Sequence, residues 1–284
     1  MEGDSGLCYR LIKMAGVQTQ PVGNLLRKWR ERRRLSQLDL ACEAEISTRH
    51  LSFLETGRSA PSREMVLRLA EQLDVPLRER NVLLIAAGYA PAFPERPLAD
   101  PALQAARKAV DLVLAGHEPY PALAIDRHWT LIASNNAVPP LLAGVESLLL
   151  QPPVNVLRLS LHPAGLAPRI ANLVEWRSHL LARLRRQIEV TADSILEELL
   201  KELCDYPAPS DAGTATAGDD DDYAGVVVPF RIVTEQGILS FISATTIFGT
   251  PVDITLSELA LESFFPADET TANTLRRFPD MYNF

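Results

Sequence analysis

The amino-acid sequence predicts an α+β protein, in which an all-α bundle is followed by a domain that combines helices with a small antiparallel sheet. Three observations support this prediction. Residues 21–90 place apolar side chains at helical spacing between polar caps, residues 121–135 contain two short β-rich runs, and residues 225–265 return to such runs after several helical segments. Strands grouped apart from a series of helices are typical of α+β domains.

Length and composition set the expected domain organisation. The 284 residues are 47% hydrophobic, which is enough for two domains with cores of their own. We predict a poorly ordered extension over residues 1–20, a helical domain over 21–90, a Pro-rich linker over 91–100 and a second domain over 101–284. No run of about eighteen apolar residues predicts a membrane span.

The cysteines and the first residues indicate a cellular compartment. Cys8, Cys42 and Cys204 are scattered, without the spacing of a metal site or a disulfide framework. The first twenty residues lack a clean apolar signal core with a small-residue cleavage site. We therefore predict a protein of the reducing cytoplasm, without a metal.

The helical domain begins with a helix near Pro21. One face of it is apolar at the spacing i, i+3, i+4 and i+7, through Val22, Leu25, Leu26 and Trp29. Arg30, Arg32, Arg33 and Arg34 crowd its end, where they can cap the helix or contact phosphates. A second helix opens at Ser36, a good N-cap, with Asp39 three residues later as in a capping box.

A tight turn links the second helix to the third. The turn is Glu45-Ile46, Ser47 caps the third helix, and Gly57 ends it as the left-handed residue. A fourth helix follows Pro61-Ser62, and a fifth covers residues 77–87. Two short helices in this arrangement form a helix-turn-helix, whose second helix carries its polar side chains into the major groove of DNA.

The charge is unevenly distributed along the chain. Residues 21–80 hold 12 Lys and Arg against 9 Asp and Glu, a net +3, whereas residues 81–284 hold 14 against 25, a net −11. A DNA-contacting head on an acidic body has this pattern. The acidic body would also limit non-specific adhesion to nucleic acid.

The helix-turn-helix resembles one known family. Leu35-Ser36-Gln37, Leu40-Ala41, Ile46-Ser47, Leu51-Ser52, Glu55, Gly57 and Pro61-Ser62 together resemble the motif of the Cro/repressor-type (XRE) regulators. Glu45 departs from it, because the family usually has glycine in the turn. A non-glycine residue with positive φ costs about 1 kcal/mol or somewhat more, which does not exclude the fold.

The resemblance implies a set of DNA-contacting residues. They are Gln37, Thr48, Arg49, His50, Ser52, Phe53, Arg58 and Arg63. Gln37 is expected at a phosphate and Arg58 and Arg63 beside the DNA backbone. The residues expected at base edges are Thr48, Arg49, His50 and Phe53. Arg49 can read guanine through O6 and N7, and Phe53 can contact a thymine methyl group. The alternative for each residue is an ordinary exposed position on a helix.

The second domain begins with a helix over residues 101–115, which could bridge the domains or a dimer. Two β-rich runs then flank Asp126-Arg127-His128 as a hairpin. Helices are predicted around residues 138–143, 154–161, 166–188 and 192–203. Strands over 225–233, 238–248 and 258–265 complete a sheet with helices on one face, before a terminal helix that follows Asp268.

One stretch of this domain has a composition unlike the rest. Residues 207–223 contain few apolar side chains and four consecutive aspartates at 219–222. We predict a mobile, solvated loop. Weak binding of a divalent cation is the alternative, although the spacing of a calcium loop is absent.

The two domains together resemble the MmyB-like regulators, in which an XRE head precedes a PAS-like ligand-binding domain. The residues that carry the resemblance in the second domain are Ala-Ile-Asp-Arg-His-Trp at 124–129, Ala-Ser-Asn-Asn at 133–136, 155–163, Glu175-Trp176 and the turn at 248–253. The resemblance implies a PAS-like domain with a hydrophobic pocket. It also implies a fatty-acid-like ligand.

Several side chains are candidates for contact with such a ligand. Arg158, His162, Arg169 and Arg177 are candidates for its polar end, and Trp129, Trp176 and Phe241 for the pocket walls. The alternatives are surface charges for the arginines and solid core for the aromatic residues. A helix-covered sheet rich in Leu, Ile, Val and Phe can enclose a cavity or fill it.

These observations favour a DNA-binding transcription regulator over an enzyme. None of the five histidines lies in a recognised catalytic motif, so we predict neither catalysis nor a cofactor. The expected partners are double-stranded DNA with a palindromic operator, a second copy of the chain and a small hydrophobic ligand. The alternatives are a regulator controlled by a protein partner, as in antitoxins, and a ligand-independent repressor.

Overall fold

The computed structural model describes residues 20–207, 227–248 and 253–281. The predictions for residues 1–19 and for the four aspartates at 219–222 lie outside the described residues. The described chain forms two compact units, one of the residues up to Glu95 with Asp253 and Ile254, the other of the remaining residues from Arg96 onward. None of the described helices combines the length and the apolar character that crossing a membrane requires.

The first unit is a bundle of helices, as predicted. Its helices are Val22–Arg32 (α1), Gln37–Glu43 (α2), Thr48–Glu55 (α3), Arg63–Gln72 (α4) and Leu77–Ala86 (α5). Ser36, Ser47 and Ser62 cap α2, α3 and α4 through their side chains. Each cap satisfies a backbone N–H that the first turn of a helix leaves unpaired.

The core of this unit is apolar and excludes water. Leu26, Leu40, Leu51, Leu69 and Leu84, one from each helix, are all 0% exposed. Full burial of a leucine side chain contributes about 1.5–3 kcal/mol. Each helix is therefore held by its own apolar face, as the helical spacing predicts.

The rest of the described chain contains further helices and a sheet. The helices are Gln104–Gly116 (α6), Val156–Leu161 (α7), Leu173–Thr191 (α8), Ser194–Asp205 (α9), Ile254–Ser257 (α10) and Glu269–Met281 (α11). The strands are Ala122–Ile125 (β1), Leu131–Ser134 (β2), Phe230–Thr234 (β3), Gly237–Ile247 (β4) and Ala260–Pro266 (β5). The predicted α+β class is confirmed.

The five strands form one antiparallel sheet in the order β2-β1-β5-β4-β3. The register pairs Leu123 of β1 with Glu262 of β5, and Thr245 of β4 with the same Glu262. Paired residues on neighbouring strands share a face of the sheet. Leu123, Thr245 and Glu262 therefore lie side by side on one face.

Helices lie on both faces of this sheet, whereas the sequence analysis places them on one. Val110 and Leu114 of α6 cluster with Ala122, Ala124 and Leu261. The residues that alternate with these on the strands cluster instead with α8 and α9. Because side chains alternate along a strand, a sheet with an apolar cluster on each face needs two covering layers.

Two elements begin at least five residues later than predicted. The long helix begins at Leu173 rather than near residue 166, because residues 170–171 bond to β3, with the Ala171 N–H donating to the Arg231 carbonyl at 2.9 Å. Strand β3 begins at Phe230, directly after Pro229, which has no N–H to donate. Around residues 139–142 the predicted helix is a single 3-10 turn.

Candidate functional site

Two N-caps and one left-handed residue define α2, the turn after it and the start of α3. The Ser36 hydroxyl accepts from the Asp39 N–H at 3.1 Å, and the Asp39 carboxylate accepts from the Ser36 N–H at 2.9 Å. Glu45 adopts φ 54°, the left-handed conformation that a glycine would adopt more readily. Ser47 then caps α3 by accepting from the His50 N–H at 3.1 Å.

A buried polar network joins α1, α2 and α3. The Arg30 guanidinium donates to both carboxylate oxygens of Glu55, at 2.7 and 2.9 Å, and to the Leu35 carbonyl at 2.9 Å. The Gln37 amide donates to the Glu55 carboxylate at 2.8 Å. Arg30 and Glu55 are only 8% and 4% exposed. The network therefore fixes the end of α3 against the other two helices.

Helix α1 crosses the end of α3 at Gly23. A Cβ atom at this position would lie 2.3 Å from the Leu54 carbonyl oxygen and 2.7 Å from that of Glu55. Both of these atoms belong to the backbone and cannot move aside like the end of a side chain. The absence of a side chain at Gly23 thus allows the two helices to pack closely. The sequence analysis did not single out this residue, because a glycine inside a helix carries no signal of its neighbour.

The outer face of α3 brings together three of the predicted DNA-contacting residues. The guanidinium carbons of Arg49 and Arg58 lie 5.3 and 5.8 Å from the centre of the Phe53 ring. Both distances are within the range of a cation–π contact. Arg49 and Arg58 are exposed, so two cations stand next to one aromatic ring at the surface. We call Arg49, Phe53 and Arg58 the arginine–phenylalanine surface.

The remaining predicted DNA-contacting residues lie around this surface. Thr48, His50 and Ser52 are partly exposed on α3, and Arg63 is exposed at the first residue of α4. Gln37 is held by Glu55 through its amide nitrogen. The structure thus places every residue of the set at the surface of one unit, and their contacts with DNA stay a prediction.

The arginines at the end of α1 have different roles. Arg30 belongs to the buried network, and Arg33 donates to the carbonyls of Leu73 and Asp74, each at 2.8 Å. Arg33 and Arg32 also lie over the Trp29 ring, at 5.3 and 5.9 Å. Arg33 therefore caps the C-terminal end of α4.

In the second unit, a cavity lies between α7, α8 and one face of the sheet. Its walls include Leu157 and Leu159 of α7, Leu180 of α8, and Phe230, Phe241 and Phe264 of the strands. All of its lining residues except Ser160, Arg183 and Glu262 are apolar. The cavity has a volume of about 100 Å³. An apolar lining with a few polar groups is typical of small-molecule sites.

The polar end of the cavity is an ion pair between α8 and β5. The Nη2 of Arg183 bonds to the Oε1 of Glu262 and donates to the Thr245 hydroxyl at 2.7 Å. The Thr245 hydroxyl donates to the same Oε1 at 2.8 Å. The guanidinium carbon of Arg183 lies 4.7 Å from the centre of the Trp129 ring. Glu262 is 4% exposed, so its charge is stabilised by these partners rather than by water.

The β1–β2 hairpin holds Trp129 in the cavity wall. Trp129 has φ 65°, an uncommon conformation for a bulky residue, and its indole N–H donates to the Gln187 side chain at 2.7 Å. The Gln187 amide donates in turn to the Arg127 carbonyl at 2.7 Å. His128 contacts Asp193, the N-cap of α9, at 3.0 Å. The hairpin is thereby tied to the end of α8 and to the start of α9.

His179 lies next to this region, one turn before Arg183 on α8. Its ring stacks on that of Trp176, with the ring centres 5.5 Å apart and the planes 20° apart. Burial lowers the pKa of His179, and the positive charges of Arg183 and Arg186 lower it further. The ring is therefore neutral near pH 7.

The structure places three of the predicted ligand-contacting residues in the cavity wall. These are Trp129, Trp176 and Phe241. Trp176 also donates its indole N–H to the Ser160 hydroxyl at 3.0 Å. The predicted aromatic wall thus surrounds a cavity, and its contact with a ligand stays a prediction.

The four predicted partners of a polar headgroup do not line the cavity and interact with other groups of the protein. Arg158 pairs with Glu202 at 2.7 Å, and the His162 ring packs edge-on against Tyr206. Arg169 donates to the carbonyls of Leu141, Ala143 and Val233, and Arg177 to those of Leu203, Cys204 and Tyr206. These bonds join neighbouring segments of the domain.

Arg183 and Glu262, the charged residues of the cavity, were missed by the sequence analysis. A signal for Arg183 exists, because it follows Trp176 by seven residues and Leu180 by three, and so lies on the apolar face of α8. Charged residues alternate with apolar or small ones around Glu262, and this pattern identifies a strand. The pattern does not reveal that helices also cover the face of the sheet on which Glu262 lies.

Comparison with known proteins agrees with this geometry. Residues 106–278 match the family described as the MmyB-like transcription regulator ligand binding domain, and residues 26–80 match the helix-turn-helix family. The chain is 33% identical, over 138 residues, to a protein of Methanoculleus marisnigri whose name describes it as an HTH-type transcriptional regulatory protein. The alignment covers 47% of this chain and 43% of that relative, so less than half of each is compared.

The two matched segments coincide with the two structural features described above. The helix-turn-helix match includes α2, α3 and the arginine–phenylalanine surface, and the longer match includes the sheet and the cavity. Within the described ranges, no group of three or more His, Cys, Asp or Glu is arranged to hold a metal ion. The chain belongs to the MmyB-like transcription regulators, with an XRE-type helix-turn-helix unit for DNA binding and a ligand-binding domain.

Proposed function

We propose that this protein is a homodimeric, sequence-specific transcription regulator that reads a palindromic operator and senses a small hydrophobic, fatty-acid-like ligand. Two recognition helices about one turn of DNA apart would read the two halves of the operator. The ligand would change operator binding to the extent that it binds two states of the dimer with different affinity. The protein works in the cytoplasm, as a regulator without catalytic activity.

The arginine–phenylalanine surface supports sequence-specific binding. Stacking on Phe53 restricts the guanidinium of Arg49, and a restricted guanidinium loses less entropy when it binds the two acceptors of a guanine. The buried network behind α3 keeps the helix in place while its outer face contacts DNA. Phosphate contacts from Arg58 and Arg63 would supply the part of the affinity that does not depend on sequence.

The apolar lining of the cavity is the observation that carries the ligand proposal. A cavity with three polar residues in its lining favours a ligand with a long apolar part and one polar end. The sheet order β2-β1-β5-β4-β3 and the helices that cover the sheet support a PAS-like domain. Exposed Leu112 and Val113 on α6, 74% and 45% exposed, support a second copy of the chain as a partner.

The first experiment is mass spectrometry of an organic extract of the purified full-length protein, together with its native mass. A stoichiometric lipid on a particle of twice the chain mass is the expected result. Leu131→Trp, which adds bulk to the cavity wall, should lower the amount of bound lipid. Ile132→Trp, at the exposed neighbouring residue of β2, should not.

Other outcomes would contradict parts of the proposal. A native mass equal to that of one chain would contradict the homodimer. An extract without lipid from the wild type and from both variants would favour a ligand-independent repressor. Stable co-purification of another polypeptide would favour control by a protein partner, as in antitoxins.

A further inference from the structure

The ion pair at the polar end of the cavity limits the chemistry of the ligand's headgroup. Arg183 and Glu262 both line the cavity, and they come from α8 and β5. The contact with Trp129 and the shared bonds with Thr245 fix the positions of both charged groups. Their geometry is therefore a property of the fold and not of a flexible surface side chain.

Much of the hydrogen-bonding capacity of this pair is unused. All of the bonds described above involve the Nη2 of Arg183 and the Oε1 of Glu262. Among the described residues, nothing else bonds to the Nε and Nη1 of Arg183 or to the Oε2 of Glu262. A ligand at this end of the cavity therefore meets hydrogen-bond donors and a carboxylate acceptor next to each other.

The charges of the pair cancel. No other lining residue carries a charge, so the cavity wall is neutral in total. An ionised carboxylate that approaches Arg183 also approaches the carboxylate of Glu262, and the repulsion between like charges is little weakened by water because Glu262 is only 4% exposed. A cationic headgroup meets the corresponding repulsion from Arg183.

From this arrangement we infer that the ligand is an amphiphile with an uncharged headgroup that both accepts and donates hydrogen bonds, and that Glu262 determines this selectivity. A primary amide or a hydroxyl group fits, because it accepts from Arg183 and donates to Glu262. The inference rests on the proposed function, since it specifies the headgroup of the hydrophobic ligand that the cavity is proposed to bind. It narrows the proposed fatty-acid-like ligand to one whose polar end is uncharged, whereas the resemblance implies the carboxylate of a fatty acid.

The test compares headgroups on one chain length. Decanamide, 1-decanol and decanoate share a ten-carbon chain, so their apolar contribution to binding is nearly constant. Binding to the full-length protein is measured at about pH 8, where decanoate is ionised in water, by tryptophan fluorescence and calorimetry. Trp129 and Trp176, two of the three tryptophans, line the cavity and report on its occupation.

We expect the two uncharged compounds to bind more tightly than decanoate. Wild-type protein should bind decanamide roughly tenfold or more tightly than decanoate, because like charges at close range oppose binding. Glu262→Gln keeps the shape and the acceptor for Arg183 and Thr245 but removes the negative charge. This variant should bind decanoate about tenfold more tightly than wild type does, since Arg183 is then uncompensated, with little change for decanamide.

A matched control separates the cavity from the rest of the domain. Glu202→Gln removes a carboxylate that also pairs with an arginine, Arg158, but that does not line the cavity. It should leave the order of the three compounds unchanged. Equal or tighter binding of decanoate to wild type would overturn the inference while leaving the proposed hydrophobic ligand intact. No binding of any of the three compounds would overturn the hydrophobic ligand itself and the inference with it.

Discussion

The two units each contain an arginine paired with a buried glutamate, and the two pairs differ in how many hydrogen bonds they leave open. Glu55 and Glu262 are equally buried, at 4% exposure. In the DNA-binding unit all three nitrogens of Arg30 are engaged, by Glu55 and by the Leu35 carbonyl. In the ligand-binding unit one nitrogen of Arg183 carries all of the described hydrogen bonds of that side chain.

The difference indicates that such an ion pair can have one of two roles. A pair whose bonds are all made within the protein acts as a structural clamp, and removal of one partner leaves an uncompensated charge. A pair with open donors and acceptors beside a cavity is available to a ligand. The type of residue and the burial of the glutamate do not separate the two cases, whereas the bonds and the exposure of the arginine do.

The largest expected loss of stability concerns the Arg30–Glu55 pair, whose hydrogen bonds are all made within the protein. Glu55→Ala should lower the free energy of unfolding by about 3–5 kcal/mol, because it leaves Arg30 buried without its partner. Glu262→Ala should cost less, because the Arg183 side chain is 24% exposed and water can reach its open nitrogens. Urea denaturation of both variants checks the comparison, and equal losses would show that the two pairs do not differ as described.

The cavity predicts a contrast between two leucines of α8. Leu184→Ala, at a fully buried position away from the cavity, should cost about 2–5 kcal/mol, because it creates a new void. Leu180→Ala only enlarges a space that already exists, so fewer contacts are lost and the cost should fall near the lower end of that range. Thermal unfolding followed by circular dichroism measures both, and the reverse order would argue against the cavity.

The close crossing of α1 and α3 predicts a loss of stability that is similar to, or smaller than, that of the leucine variants. Gly23→Ala should destabilise the DNA-binding unit by about 1–3 kcal/mol, because the new Cβ meets the backbone of α3. Gly116→Ala, at the end of α6, is the matched control, since its added Cβ meets nothing within 4 Å apart from its chain neighbours and its own helix. That control should be neutral or stabilising by a few tenths of a kcal/mol. A neutral Gly23→Ala would contradict the close crossing.

Arg49 tests the surface rather than the stability of the unit. Arg49→Ala should weaken binding to the operator by about 1–3 kcal/mol more than binding to unrelated DNA. Arg68→Ala, at an exposed position of α4, should affect both DNAs little and equally. Fluorescence anisotropy at two salt concentrations makes the comparison, and equal losses on both DNAs would reduce Arg49 to a phosphate contact.

The smallest effect is the dependence of stability on pH near His179. Its pKa in the folded protein lies below the ordinary value of 6.5, so the unfolded chain binds the proton more readily. Stability should therefore fall as the pH drops below 6.5 towards the folded pKa. His179→Phe keeps a ring against Trp176 and should remove this part of the pH dependence. An unchanged thermal melting profile between about pH 7 and pH 5 in wild type would contradict it.

The sequence was sufficient for most of the DNA-binding unit. Its caps and turns involve residues within a few positions of each other, as with Ser36 and Asp39, and the apolar spacing identifies each helix. What escaped prediction there connects distant residues. Gly23 faces Leu54 and Glu55, and Arg30 reaches Glu55 across 25 positions.

For the ligand-binding unit, the sequence predicted the α+β class, the strands and a hydrophobic pocket. It did not predict where in the domain the cavity lies. The aromatic candidates Trp129, Trp176 and Phe241 do line the cavity, since large apolar side chains gather on the covered face of a sheet. The charged residues could not be chosen in the same way. Arg183 and Glu262 are 79 positions apart, and the sheet register that brings them together is absent from any local pattern.

The capping of α4 by Arg33 has a consequence for how such molecules diverge. Its acceptors are the main-chain carbonyls of Leu73 and Asp74, which any residue at those positions would supply. The side chains at 73 and 74 can therefore change without loss of these hydrogen bonds, whereas a lysine at 33 would lose the fork that reaches two carbonyls. Arg169 and Arg177 bind main-chain carbonyls in the same one-sided manner. Contacts of this kind constrain one position only, so paired substitutions between related sequences would not reveal them.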